Sequence, residues 1–331
     1  VNVAEVTDAS GRTAAAGGGP ARRKARKAEK LRTRMRKHAW HYVFLVPMTV
    51  LFLSFTLWPM VASWWYSLYD WGGIGPPSEW VGFGNYQEVL SSPAFWNAFR
   101  ISLIFSAVAI FVQLPLALVM AVILNNPRLR GRNLYRLLIF LPVVTTTAVV
   151  GIVFAMILDP AGGIVNEVMS RSGLIDEPIN FLGSESTALP TLLGIDLWKG
   201  FGITMVYWLA ALQTVPSELY EAARVDGASA RQTLLRVTIP VLAPLAIVIL
   251  LLTFQTSMAP FDLVQATTQG GPNFSTDVMS TYIYRYAFDP SFSASRYGFA
   301  SAAGVVFGIF MLILTLMQAP LLRKRYERRG K

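Results

Sequence analysis

Apolar residues fall along this chain in long runs free of charge. No acidic or basic side chain stands between His41 and Asp70, between Arg100 and Arg128, or between Arg136 and Asp159. The same holds between Arg236 and Asp262 and between Arg296 and Arg323. Each run exceeds the roughly 20 residues that carry a helix across a hydrocarbon core. A further run, 189–212, is interrupted by Asp196 and Lys199. The pattern predicts an all-α integral membrane protein with six transmembrane helices. The expected organisation is a basic tail over 1–42, a first transmembrane helix over 43–66 and an external loop over 67–99. A five-helix core over 100–320 follows, with a polar loop at 214–240 inside it, then a basic tail over 321–331.

The loops between the runs differ in charge, and the difference predicts direction. Eleven Lys or Arg precede residue 42, and six lie in the last nine residues. Arg128, Arg130, Arg132 and Arg136 follow the second run, and Arg224, Arg231 and Arg236 follow the fourth. Acidic residues such as Asp70, Glu79, Glu88, Asp159, Asp176 and Glu177 collect in the alternate loops. The positive-inside rule then places both termini and both basic loops in the cytoplasm. Residues 1–20 are rich in Ala, Gly and Thr, and 21–37 are a basic run, which predicts a disordered lead and an anchor at the lipid surface. That lead is too long and hydrophilic for a secretory signal peptide.

Composition narrows the chemistry. Hydrophobic residues make up 53% of the chain and charged residues only 15%, against about 25% in an ordinary soluble domain. The net charge of +10 flanks the apolar runs, so it reads as membrane topology rather than nucleic-acid binding. There is no cysteine, and the two histidines, His38 and His41, stand before the first run. No metal-ligand cluster, nucleophile–base pair or G-x-x-x-x-G-K-[ST] phosphate loop is present, so no cofactor is expected and any ATP would be bound by another chain. A membrane-embedded enzyme lacks its paired acids here. A self-sufficient secondary transporter would use Asp196 and Lys199 as a relay.

The most informative segment is SELYEAARVDGASARQTLLRVTIP, 217–240. Pro216 and Ser217 suit a helix start, with Glu218 near the positive end of its dipole. Gly227 offers a left-handed position where that helix can end. Ser229 and Gln232 have the spacing of a capping box for a second short helix. Pro240 opens the next span. The expected result is a helix–turn–helix at the membrane surface, with small residues that let a partner approach and with Glu221 and Asp226 for ion pairing.

Glu221-Ala222-Ala223, three residues, Gly227, nine residues and Val237-Thr238-Ile239-Pro240 together resemble the EAA loop of the permease subunits of bacterial ABC importers. Val stands for the usual Ile and Ile for the usual Leu. The segment 80–86 (WVGFGNY) is similar to one found after the first span of sugar-type permeases. Arg130–Arg136 with Leu141-Pro142, and 268–272 (TQGGP), resemble others of the same family. The resemblance covers roughly residues 43–322. It implies a type I ABC importer permease fold and an ATPase-docking role for Glu221, Ala222, Ala223, Asp226, Gly227 and Pro240. It implies four further partners: a second, related permease, two cytoplasmic ATPase subunits and an external solute-binding protein. Membrane lipid surrounds the spans. Maltose-type permeases place sugar contacts on stretches that hold Val143, Thr147, Asp196, Lys199, Gly200, Thr256, Ser257 and Pro260 here.

Two readings of Asp196 and Lys199 stay open from sequence. The pair shares one helix face, and either lines a substrate pathway or forms an ion pair that orients the helix or packs against the second permease. Thr145, Thr146, Thr147, Thr256 and Ser257 offer hydroxyls to a sugar, or bond back to their own helices. Trp64, Trp65, Tyr66, Tyr69 and Trp71 read as an interfacial aromatic belt rather than a sugar platform.

Overall fold

The computed structural model describes residues 39–77, 79–289 and 294–326, with side chains from 43 to 317. Residues 1–38 of the expected tail over 1–42, and the last five residues, lie outside the described residues. The chain divides into two compact units, residues 1–61 and 62–331.

The described elements are helical apart from one small hairpin. Helix α1 (Val43–Tyr66) contains a π turn at Leu53–Leu57 and, like the other spans, an uncharged apolar surface. Strands β1 (Tyr69–Asp70) and β2 (Glu79–Trp80) pair antiparallel, with Tyr69 opposite Trp80. Helix α2 (Gly84–Ser91) leads into α3 (Pro93–Asn125), whose Pro93 sits in the first turn, where a missing N–H costs nothing. Helices α4 (Arg132–Val144) and α5 (Thr147–Ile157) form a single apolar stretch bent by 94°. Helix α6 (Ile164–Arg171) and the 28-residue α7 (Glu185–Leu212) follow. Helices α8 (Ser217–Val225), α9 (Ala230–Thr267), α10 (Met279–Phe288) and α11 (Tyr297–Tyr326) complete the chain.

By length and composition four of these helices can cross a membrane, and five when the bent pair α4–α5 is one span. Helix α7 is long enough, at about 42 Å for a rise of 1.5 Å per residue, but Asp196 and Lys199 dilute its apolar surface. Two boundaries differ from the sequence reading. Helix α3 begins at Pro93, so the second span starts inside the expected 67–99 loop, because one buried charge-free face already begins at Phe95 and Ala98. The last helix runs on to Tyr326, through the start of the expected tail at 321.

Three buried clusters hold unit 62–331 together. Leu114, Ala117, Leu124, Met205, Trp208 and Leu242 join α3, α7 and α9. Ile101, Phe105, Val150, Leu192, Leu263 and Val264 join α3, α5, α7 and the end of α9. Val89, Phe95, Met279, Tyr282, Phe299 and Ala303 join the loop helices α2 and α10 to α3 and α11. Helices α7 and α4 approach closely at Gly202, where an added Cβ would stand 2.5 Å from the Ile139 carbonyl oxygen and 2.9 Å from Val143 Cγ2. Only a glycine lets α7 and α4 meet at that distance.

The resemblance motifs outside the docking segment prove to be loop fasteners. Asn85 is buried and donates from Nδ2 to the carbonyls of Ser67 (2.9 Å) and Tyr69 (2.8 Å). The Tyr86 hydroxyl shares a 2.6 Å hydrogen bond with Ser67 Oγ. Thr268 and Thr276 hydroxyls meet at 2.7 Å across the 268–272 turn, and Asp277 and Arg285 form a buried ion pair beside it. Trp65, Tyr66, Tyr69 and Trp71 stack with one another and on Trp80 and Tyr297 around the hairpin. The Arg296 guanidinium, 2.6 Å from Glu88, ties α2 to the start of α11 and holds the Glu88 carboxyl below its ordinary pKa.

Candidate functional site

Two sites emerge, one within the helix bundle and one on the segment 214–240.

The first is a cleft of about 330 Å³ among α3, α4, α5, α7 and α9. Val143, Thr147, Asp196, Lys199, Gly200, Thr256 and Ser257 all line it. These residues are separated by up to 114 positions in sequence, and the packing at Gly202 helps bring them together. Pro260 is not among the lining residues. It caps the start of the last helical piece of α9, Phe261–Thr267, beyond the cleft. The cleft also has polar members that sequence reasoning passed over: Gln113, Thr204, Tyr207 and Thr253. Gln113 carried a readable signal, since it is an amide in the middle of an uncharged run. It stands in a π turn of α3, Ala109–Gln113, and donates to the Thr204 hydroxyl at 2.7 Å.

Lys199 and Asp196 do not form an ion pair, which corrects the orienting-pair reading. The Lys199 ammonium instead donates to the carbonyls of Thr145 (2.8 Å) and Pro142 (3.4 Å). Those carbonyls are the loose ends of α4 at its 94° bend. Backbone acceptors exposed by a break at membrane depth need a donor, and a cation at a helix C-terminus also meets the negative end of the dipole. Lys199 therefore fastens the bend that shapes one wall of the cleft. A parallel device ends α3, where Arg136 donates to the Leu124 carbonyl at 2.6 Å.

The hydroxyls expected to face a solute are partly engaged. Thr256 donates to Leu252 (3.0 Å) and Thr253 (3.1 Å) of its own helix, and Ser257 to Thr253 (2.7 Å). Back-bonding to the helix wins at these two positions. Thr253 Oγ1 is buried without a hydrogen-bond partner among the described residues.

The second site is the segment 214–240. Helix α8 ends where Gly227 adopts φ 71°, and the chain turns with Gly227 and Ala228 amides bonded to the Arg224 and Ala223 carbonyls. Ser229 and Gln232 form the expected capping box: the Gln232 amide donates to Ser229 Oγ (3.3 Å), and the Ser229 amide to Gln232 Oε1 (2.8 Å). The second helix is not separate. It continues through a π turn, Leu234–Thr238, straight into the fifth apolar run, and the π turn absorbs the lost N–H of Pro240. Glu221, Ala222, Asp226 and Gly227 are exposed, while Ala223 is buried. Beneath the turn lies a pocket of about 530 Å³, whose lining includes Arg128, Tyr220, Arg224, Thr233 and Thr238.

Comparison with known proteins agrees with this architecture. Residues 113–329 match the family described as "binding-protein-dependent transport system inner membrane component". The chain is 32% identical over 288 residues to LacF, a lactose transport system permease protein of Rhizobium radiobacter, covering 86% of this chain and 94% of LacF. It is 31% identical over 278 residues to YurN of Bacillus subtilis, a probable ABC transporter permease protein, covering 84% of this chain and 94% of YurN. The structure superposes with a TM-score of 0.77 on a chain of a bacterial ABC transporter involved in import of the acidic polysaccharide alginate. That pair is 26% identical, over 89% of this chain and 99% of the other. The bent and broken helices around the cleft, and the turn at Gly227, are thus set in an ABC importer permease fold. The chain belongs to the family of inner membrane components of binding-protein-dependent transport systems.

Proposed function

We propose that this multi-pass chain is the permease subunit of an ATP-driven importer for an uncharged mono- or oligosaccharide. The observation that carries the solute path is the cleft at Asp196 and Lys199, where residues of five helices meet around polar side chains. Six spans are required, with α7 as the fourth despite its two charges, which face the cleft wall rather than needing lipid contact. Both termini and the Gly227 turn lie in the cytoplasm. There Glu221 and Asp226 pair with cations of an ATPase subunit, and Ala222 and Gly227 allow close approach. A second related permease completes the path, two ATPase subunits supply energy, and an external binding protein delivers the solute. Sugar permeases among the relatives, LacF included, support the saccharide class.

The test is co-purification followed by reconstitution. The tagged chain is expected to bring a second permease and an ATPase, to lack uptake alone, and to take up a sugar when all partners and the binding protein are present. A binding protein that ignores sugars but holds an amino acid or oxyanion would overturn the saccharide class and leave the permease role intact. Uptake by this chain without an ATPase would overturn the importer reading.

A further inference from the structure

The cleft contains two opposite charges, and they are not equivalent. Lys199 is committed: its ammonium serves the carbonyls of Thr145 and Pro142 at the bend between α4 and α5. Asp196 also lines the cleft, yet it has neither an ion pair nor a hydrogen-bond donor among the described residues. A carboxylate is an acceptor only. The remaining polar lining follows the same division. Gln113 and Thr204 are bonded to each other, and Thr256 and Ser257 to their own helix. Thr253 Oγ1, on a residue only 5% exposed, also has unused capacity. Lys199 still acts on Asp196 through space, but its ammonium is held at the helix end it caps, so Asp196 is the charged group left to meet a solute.

We propose that Asp196 is a specificity-determining residue that accepts hydrogen bonds from donor groups of the solute and turns anionic solutes away. The fitting solute presents vicinal hydroxyls, or an amino group, to that carboxylate. Uronates and sugar phosphates would bring a second negative charge to a site whose one cation among the described lining residues is already engaged. This proposal rests on the reading of the cleft as the solute path.

The absence of native cysteine allows a test that needs no knowledge of the solute. Thr256→Cys places one thiol in the cleft of the assembled transporter. Its reaction rate is measured with cationic trimethylammonium-ethyl methanethiosulfonate and with anionic sulfonato-ethyl methanethiosulfonate, each relative to a free small thiol. The cation is expected to be favoured by about tenfold or more over the free-thiol ratio, as a nearby carboxylate requires. Asp196→Asn should bring the ratio back toward that of the free thiol, and Asp196→Glu should keep it. A ratio at or below the free-thiol value, or one unchanged by Asp196→Asn, would overturn the proposal. So would a thiol that neither these reagents nor neutral methyl methanethiosulfonate can reach. None of these outcomes touches the permease role, which stands or falls with the co-purified ATPase.

Discussion

The turn at Gly227 and the cleft are both polar features in an apolar chain, yet they are built in opposite ways. The turn is local. Ser229 and Gln232 satisfy each other across three residues, and Gly227 adopts its own left-handed geometry. The cleft is non-local. Lys199 reaches back 57 residues to Pro142, and Gln113 reaches 91 residues forward to Thr204. A local device survives changes elsewhere in the fold. A non-local site fails when any one helix shifts.

The sharpest way to break that contrast is at the helix contact that makes the cleft. Gly202→Val would place side-chain atoms against the Ile139 carbonyl and Val143. We expect a loss of about 2 kcal/mol or more from overpacking, read as a lowered melting temperature in detergent, with uptake lost. The docking turn should still bind its ATPase in the fraction that folds.

Gly227→Val attacks the other side of the comparison. A β-branched residue at φ 71° costs about 1–3 kcal/mol of local strain. The chain should insert and keep its melting temperature within a few degrees, while ATPase association falls about tenfold for each 1.4 kcal/mol carried into docking. Normal hydrolysis coupling in this variant would show that the turn is not the docking element.

Lys199→Met tests whether the lysine holds the bend. Removing a charged donor from two carbonyls should cost about 1.5–3 kcal/mol. Uptake should fall, and Lys199→Arg should restore part of it. Equal loss in both variants would assign Lys199 to direct solute contact instead.

Ser229→Ala should cost about 1 kcal/mol, confined to the first turn of α9. Hydrogen exchange of the 230–233 amides is the measurement, and faster exchange spreading into the cleft would contradict the local character of the turn.

The smallest effect lies at Glu88 and Arg296. The guanidinium lowers the Glu88 pKa from 4.5, so the bond's contribution is complete above that value and is lost as pH falls through the lowered one. Glu88 is half-exposed, so the loss is small. Thermal stability should be level from neutral pH down to the ordinary carboxylate range and decline below it. Glu88→Gln should abolish that part of the decline.

Much of the docking site was legible in the order of residues. Spacing alone is enough for a capping box and for a glycine after a short helix, because the interacting groups are neighbours in the chain. Less of the cleft was legible. Asp196, Lys199 and Thr147 stood out as polar residues in apolar runs, but nothing in their spacing told that Lys199 would choose backbone carbonyls over Asp196. That choice depends on where α4 breaks, and the break depends on packing against α7. Thr256 and Ser257 were readable as hydroxyls, but their bonds to Thr253 and Leu252 come from rotamers seen only in the folded helix. Pro260 was placed by resemblance near the path, and the backbone carries it past the end of the cleft.

By itself the sequence determined the apolar runs, the charge asymmetry between alternate loops and the turn at Gly227. Each depends on composition or on contacts a few residues apart, where chain connectivity leaves little choice. Only the tertiary structure decided the 94° bend, the contact at Gly202 and the commitment of Lys199 that leaves Asp196 facing the cleft. Those outcomes come from competition among distant groups for the same donors and the same space, and that competition is resolved only when the helices pack.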